Sequence, residues 1–321
     1  MIRPAVVAVC AVLLTACAIN PDVAIDELVD GRDEVALTVP FFPQTDYQCG
    51  PAALASILDD SGLSVQPDEL AGMVYLPARR GSLQRELLAA TRRHGRIAYE
   101  PPPRLENLLA LLAAGKPVLV LQNLGVPSAP IWHYSVLVGF HTPSNRVLLN
   151  DGENRSKRVP AERFLRTWQW ADRWAMIALQ PGELPPHIDP ERYFTAVSDL
   201  EQTHGTGAAE PAWRAANRAW PHLPQPYLAL GNLAYGTGDR RAAVKHYRAG
   251  LRMSGGDVAL TNNLAHVLGE LQCAKAGLIA ARPVLDELGP ESPWRSIVAE
   301  TVQTLEQQHE PDHPSCEQLI P

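Results

Sequence analysis

Three residues set far apart in the chain have the chemistry to attack an acyl carbon. The first is Cys49, in QTDYQCGPAALA at 44–55. Gly50 permits a tight turn, and Pro51 has its φ fixed in a way that suits the first turn of a helix. The small and apolar residues up to Leu58 continue that helix, and Gly62 ends it. Cys49 therefore stands at a helix N-terminus, where unpaired backbone N–H groups and the helix dipole favour an anion. A thiol in that position has a lowered pKa, and the thiolate is the reactive form. The plainer reading is a buried, inert cysteine, which is common for this residue type.

A nucleophilic cysteine needs a base, and the base needs a group to orient it. Of the 10 histidines, His133 opens the apolar run HYSVLVGF, a place where an imidazole without a task is unusual. Pairing Phe140 with Arg146 across HTPSN puts Asp151 opposite Ser135, on the face that His133 shares. Such a diagonal pair has Cα atoms about 7–8 Å apart, within reach of two polar side chains. A slip of one residue would turn Asp151 away and offer Asn150 as the orienter instead. Gln44 and Gln48 lie upstream of the cysteine, and either amide could join the Cys49 N–H in binding an oxyanion. Gln44 reaches across more naturally, whereas Gln48 would have to fold back.

Several elements must position these groups. ALTVPFFP at 36–43 reads as a strand, followed by helices over 51–60, from Pro67, over 81–95 with Ser82 as a cap, and over 105–114. The pattern then changes to buried strands at 117–124, 133–140, 146–151 and 174–181. Helices followed by an antiparallel sheet read as α+β. Beyond the Pro-rich linker the strand signal disappears, and 192–308 is Ala-rich and helical. There LGNLAYGTGDRRAAVKHYRAGL aligns with TNNLAHVLGELQCAKAGLIAARPVL, setting Asn232 against Asn263 at an offset of 31. The small and aromatic positions resemble the tetratricopeptide pattern of two helices in about 34 residues. The blander alternative is a compact helical cap.

The 321 residues are enough for two domains, and the net charge of −7 gives no reason to expect a nucleic-acid partner. At the N-terminus, AVVAVCAVLLTA is too short to span a bilayer comfortably but suits a signal-peptide core. It leads into Leu14-Thr15-Ala16-Cys17, which resembles the lipobox of bacterial lipoproteins. That resemblance implies cleavage before Cys17, lipidation of Cys17 and, with Ala18 following, sorting to the periplasmic face of the outer membrane. Cys273 and Cys316 either pair as a disulfide, which an oxidising periplasm permits, or remain separate thiols.

Taken together, Gln44, Cys49-Gly50-Pro51-Ala52, His133-Tyr134 and Asn150-Asp151-Gly152 closely resemble the C39 and C39-like cysteine peptidases. The resemblance implies a papain-like fold over 36–182, with Cys49 as nucleophile, His133 as base, Asp151 as third residue and Gln44 as oxyanion donor. Two departures limit it. The well-known members are fused to an ABC exporter and trim leader peptides on the cytoplasmic side, and no transporter or nucleotide-binding loop is present here. The spacing from Gln44 to Cys49 is also shorter than is common among papain-like enzymes.

The organisation expected is a signal peptide at 1–16, a tether at 17–35 and the peptidase domain at 36–182. A linker at 183–191, a tetratricopeptide-like domain at 192–308 and a tail at 309–321 complete it. The expected activity is peptide-bond hydrolysis with no cofactor or metal, the helical repeats holding a protein substrate or partner. Two alternatives use the same residues or fold: a non-catalytic peptide-binding lipoprotein, and an amidase or acyltransferase acting on cell-wall peptides.

Overall fold

The computed structural model describes residues 21–43, 49–308 and 316. Cys17, Gln44 and Gln48 lie outside them. Two compact units divide the chain. Ala98–Ala178 and most of what precedes it form the first, and Ile188 onward with two short segments forms the second.

The first unit is α+β. Its strands are β1 (Glu34–Ala36), β2 (Tyr75–Leu76), β3 (Gly81–Ser82), β4 (Ile97–Tyr99) and β5 (Val118–Asn123). β6 (Trp132–His141), β7 (Arg146–Asp151), β8 (Asn154–Pro160) and β9 (Ala175–Leu179) follow. Its helices are α1 (Cys49–Asp60), α2 (Pro67–Val74), α3 (Gln84–Arg93), α4 (Leu105–Ala113) and α5 (Ala161–Gln169). The main sheet has the order β4-β9-β5-β6-β7-β8, with β1 paired to the end of β6, and β2 and β3 form a small hairpin of their own. α1 packs its apolar residues Ala53, Leu54 and Ile57 into one core with Leu119, Tyr134, Val136 and Val138 of the sheet. That packing brings the start of α1 to the start of β6.

Most of the expected elements are present, with instructive differences. The strand expected at 36–43 is not formed: β1 lies earlier and ends at Ala36, and Pro40 and Pro43 cannot donate to a ladder. Ser82 lies in β3 and not at a helix cap, and its buried Oγ has no partner among the described residues. β8 and α5 carry no sequence expectation, since NRSKRVP is polar and exposed over most of its length. The arm before β1 is docked: Ile25 is fully buried, its N–H donates to Asn145 Oδ1 at 3.0 Å, and Asn145 Nδ2 donates to Val23 O at 2.8 Å.

One irregularity in the sheet determines where Asp151 goes. β6 and β7 pair His141 with Arg146 and Phe140 with Val147, one step from the expected register. A bulge between Leu137 and Gly139 then absorbs a residue and sets Val136 opposite Asn150, so Asp151 returns to the His133 face. Gly139 allows this, because a Cβ there would lie 2.0 Å from the Val35 carbonyl oxygen of β1.

The second unit contains seven helices among the described residues: α6 (Pro190–His204), α7 (Thr206–Ala219), α8 (Pro224–Gly236), α9 (Arg240–Ser254), α10 (Val258–Glu270), α11 (Ala274–Glu287) and α12 (Arg295–Glu306). The aligned asparagines meet here, Asn263 Nδ2 of α10 donating to Asn232 Oδ1 of α8 at 3.0 Å. Tyr247 of α9 donates to the same oxygen, and its ring covers Gly231, where a Cβ would lie 2.1 Å from it. Cys273 and Cys316 form a disulfide. No helix among the described residues is long and apolar enough to cross a membrane.

Candidate active site

Cys49 is the first residue of α1 and is half-buried. The next position must be glycine, because a Cβ on Gly50 would lie 2.4 Å from Ser82 Oγ of β3. Tyr134, next to His133 on β6, donates from its hydroxyl to Ser82 O at 3.2 Å. The β2–β3 hairpin is thereby tied across the start of α1.

His133 pairs with Gln122 of β5. Gln122 is buried, but its amide is satisfied: Nε2 donates to Thr167 Oγ1 at 2.7 Å and Oε1 accepts from Ser135 at 3.1 Å. This network stiffens the hairpin beneath the imidazole. A Gln inside the run PVLVLQNL was the sequence signal for it.

His133 Nε2 and Asp151 Oδ1 are 2.6 Å apart. Asp151 is accounted for on its other side too, since Lys157 Nζ lies 2.6 Å from Oδ2. Asn150 points elsewhere, its Oδ1 accepting the Ser156 N–H at 3.0 Å. With Nε2 engaged by the carboxylate, Nδ1 is the ring nitrogen left to face the Cys49 sulfur, which lies within hydrogen-bond reach. The structure thus brings Cys49, His133 and Asp151 together.

The electrostatics favour an ion pair. Burial pushes the Cys49 thiol up, but the His133 hydrogen bond and charge, with the backbone N–H groups of Tyr134 and Gly50, outweigh it and bring it down. Burial likewise opposes the imidazolium of His133. Hydrogen bonds and charge from Asp151 and Cys49 overcome that and raise it to about 9. The bond to His133, and then Lys157, hold the Asp151 carboxyl at about 2 against burial. The two shifts together favour a thiolate beside an imidazolium.

Cys49 and His133 open onto a cleft of about 830 Å³, lined also by Arg79, Gln84, Leu121 and Trp132. Among the described residues no cluster of three or more His, Cys, Asp or Glu could hold a metal ion. Cys49 and His133 stand together in the lining of that cleft.

Residues 36–176 match the Peptidase_C39 like family. The matched span begins at β1 and ends in β9, so it takes in the sheet, α1 and all three residues of the centre. A Bacillus anthracis chain assigned as a C39-like peptidase is 20% identical, with 46% of this chain and 98% of that one covered at a TM-score of 0.38. A double glycine motif protease from an AMS/PCAT transporter, solved with its leader peptide, is 23% identical over 45% of this chain and 93% of that one, at 0.35. The peptidase domain of Streptococcus ComA, a bifunctional ABC transporter of a quorum sensing pathway, is 19% identical over 46% and 98%, at 0.34. No curated protein matches the chain. The first unit therefore has the papain-like fold of C39-like peptidases, and a region of seven described helices follows it.

Proposed function

We propose that this protein is a cysteine peptidase that hydrolyses peptide bonds through Cys49, His133 and Asp151. The observation that carries this reading is the continuous contact from the Cys49 sulfur through the His133 ring to the Asp151 carboxylate, at the wall of an open cleft. A binding protein that only held peptides would have no need of a thiol kept low beside a raised imidazole.

The Cys49 thiolate attacks the scissile carbonyl carbon, and the oxygen takes the negative charge. The Cys49 N–H at the start of α1 stabilises that oxygen, with Gln44 as its second donor. The His133 imidazolium gives its proton to the leaving amine, and the C–N bond breaks to leave a thioester. Neutral His133 then takes a proton from water, the hydroxide attacks the thioester, and the acid is released as the thiol is restored. Asp151 keeps the ring aligned and its charge balanced throughout.

The protein is further proposed to be anchored through lipid on Cys17 at the periplasmic face of the outer membrane. Its helices act as a tetratricopeptide-like module that holds the protein substrate or a partner. Contact between the aligned Asn232 and Asn263 supports the repeat reading.

Cys49→Ser is the test. It exchanges one atom and is expected to abolish peptide hydrolysis while leaving the melting temperature within a few degrees of the wild type. Full activity in that variant rules out Cys49 as the nucleophile.

A further inference from the structure

Lys157 lies on β8, a strand at the edge of the sheet. β8 is exposed from Asn154 to Arg158, yet it is paired along β7 and contains a bulge. Asp151 pairs with Asn154 and Leu149 with Lys157, so Arg155 and Ser156 together stand opposite Asn150 alone. Ser156 takes a left-handed φ of 50°, uncommon for a residue with a Cβ. Asn150, buried to 4% exposure, accepts the Ser156 N–H and stabilises that turn of the backbone. Bulges re-aim the side chains that follow them. The side chain re-aimed here is Lys157, whose Nζ meets the Asp151 oxygen not used by His133.

Stability does not account for this contact. The Lys157 side chain is 47% exposed, and an ion pair so open to water adds little to the folded state. We propose that Lys157 is a positioning residue of the catalytic centre: by holding Oδ2 of Asp151, it keeps Oδ1 on His133 Nε2. This inference rests on the centre being catalytic as proposed above.

Two effects of Lys157 oppose each other. Its charge stabilises the carboxylate and fixes its rotation, which supports the imidazolium. The same positive charge repels the imidazolium directly. The first effect acts through contacts of 2.6 Å on each side of Asp151. The second acts from a half-exposed ammonium across a longer, water-screened path, so the first dominates. The titratable groups acting on Asp151 are His133 from β6 and Lys157 from β8, and those acting on His133 are Asp151 and Cys49 of α1.

The experiment compares Lys157→Met and Lys157→Arg with the wild type in the full-length protein. Iodoacetamide reports the thiolate at Cys49 across a wide pH range without any need for the natural substrate. In Lys157→Met, the acid limb of alkylation is expected to move up by about half a pH unit, a roughly threefold slower reaction on that limb. The high-pH plateau should stay unchanged. With a cleavable peptide, kcat should fall while KM holds. Lys157→Arg keeps a cationic donor and should track the wild type. Superimposable profiles for Lys157→Met and wild type overturn the inference, as does a Lys157→Arg profile displaced as far as that of Lys157→Met. A wild-type Cys49 that titrates like an ordinary thiol overturns the catalytic reading itself, and this inference with it.

Discussion

Replacing Asp151 with Asn keeps the size of the side chain and removes its charge. In the wild type, His133 holds its proton to about 9 against an ordinary 6.5, with burial opposing it and Asp151 and Cys49 supplying the support. The difference, 9 − 6.5 = 2.5, corresponds to about 3.4 kcal/mol in favour of the imidazolium. If Asp151 supplies about half of this, roughly 1.7 kcal/mol, its loss lowers the imidazole pKa by about 1.25. The sign follows from the raised value. The imidazolium is complete below the ordinary pKa and is lost as pH rises through the folded one, so the variant loses it earlier. At about pH 8.5 the protonated fraction should fall roughly fivefold, whereas near pH 6.5 most of it remains. The assay measures iodoacetamide alkylation of Cys49 and peptide hydrolysis, each as a function of pH. The basic limb of the hydrolysis profile should move down in Asp151→Asn, because cleavage needs the imidazolium, whereas alkylation levels off at high pH. Hydrolysis should also drop at every pH through lost alignment, though less than in His133→Ala. A basic limb left near 9 would refute the assignment of Asp151 as the group that supports His133.

Gly139→Ala places a Cβ against the Val35 carbonyl, so β1 must lift or the bulge must move; a destabilisation of about 1–3 kcal/mol with loss of activity is expected. Thermal unfolding checks it, and an unchanged midpoint contradicts it. Reducing the disulfide releases a link across 43 residues and should destabilise the helical region by up to about 4 kcal/mol, read from denaturant unfolding with and without reductant. Cys17→Ser should leave the protein unlipidated and free of the membrane fraction, where the wild type incorporates labelled fatty acid. Equal membrane association of the two contradicts the anchor.

Much of the fold was legible because its signals are local. Pro51 suits the first turn of a helix and small helix formers follow it, and continuous apolar runs such as PVLVLQNL announce buried strands. The site was harder, because it depends on register. Counting residues across the HTPSN turn gave a pairing one step off, and the bulge before Gly139 cancelled that step. Gly139 inside an apolar strand was the available signal for such a bulge. β8 was not legible: polar and exposed, it is held by pairing with β7 and by Asn150, neither of which leaves a periodic pattern. Lys157 was hidden with it, since a lysine in a polar stretch looks like an ordinary solvated charge. The pairing of Cys273 with Cys316 depends on where α11 begins relative to a distant tail, and spacing alone cannot decide that.

The central claim is that Cys49 attacks peptide carbonyls with His133 as its acid and base. Its most direct test is mass spectrometry of the full-length protein after reaction with a peptidyl electrophile that traps cysteine nucleophiles. The account predicts one adduct, on Cys49, formed quickly in the wild type, slowly in His133→Ala and not at all in Cys49→Ser. Labelling at another residue, or labelling of Cys49 at the same rate in His133→Ala as in the wild type, would contradict it.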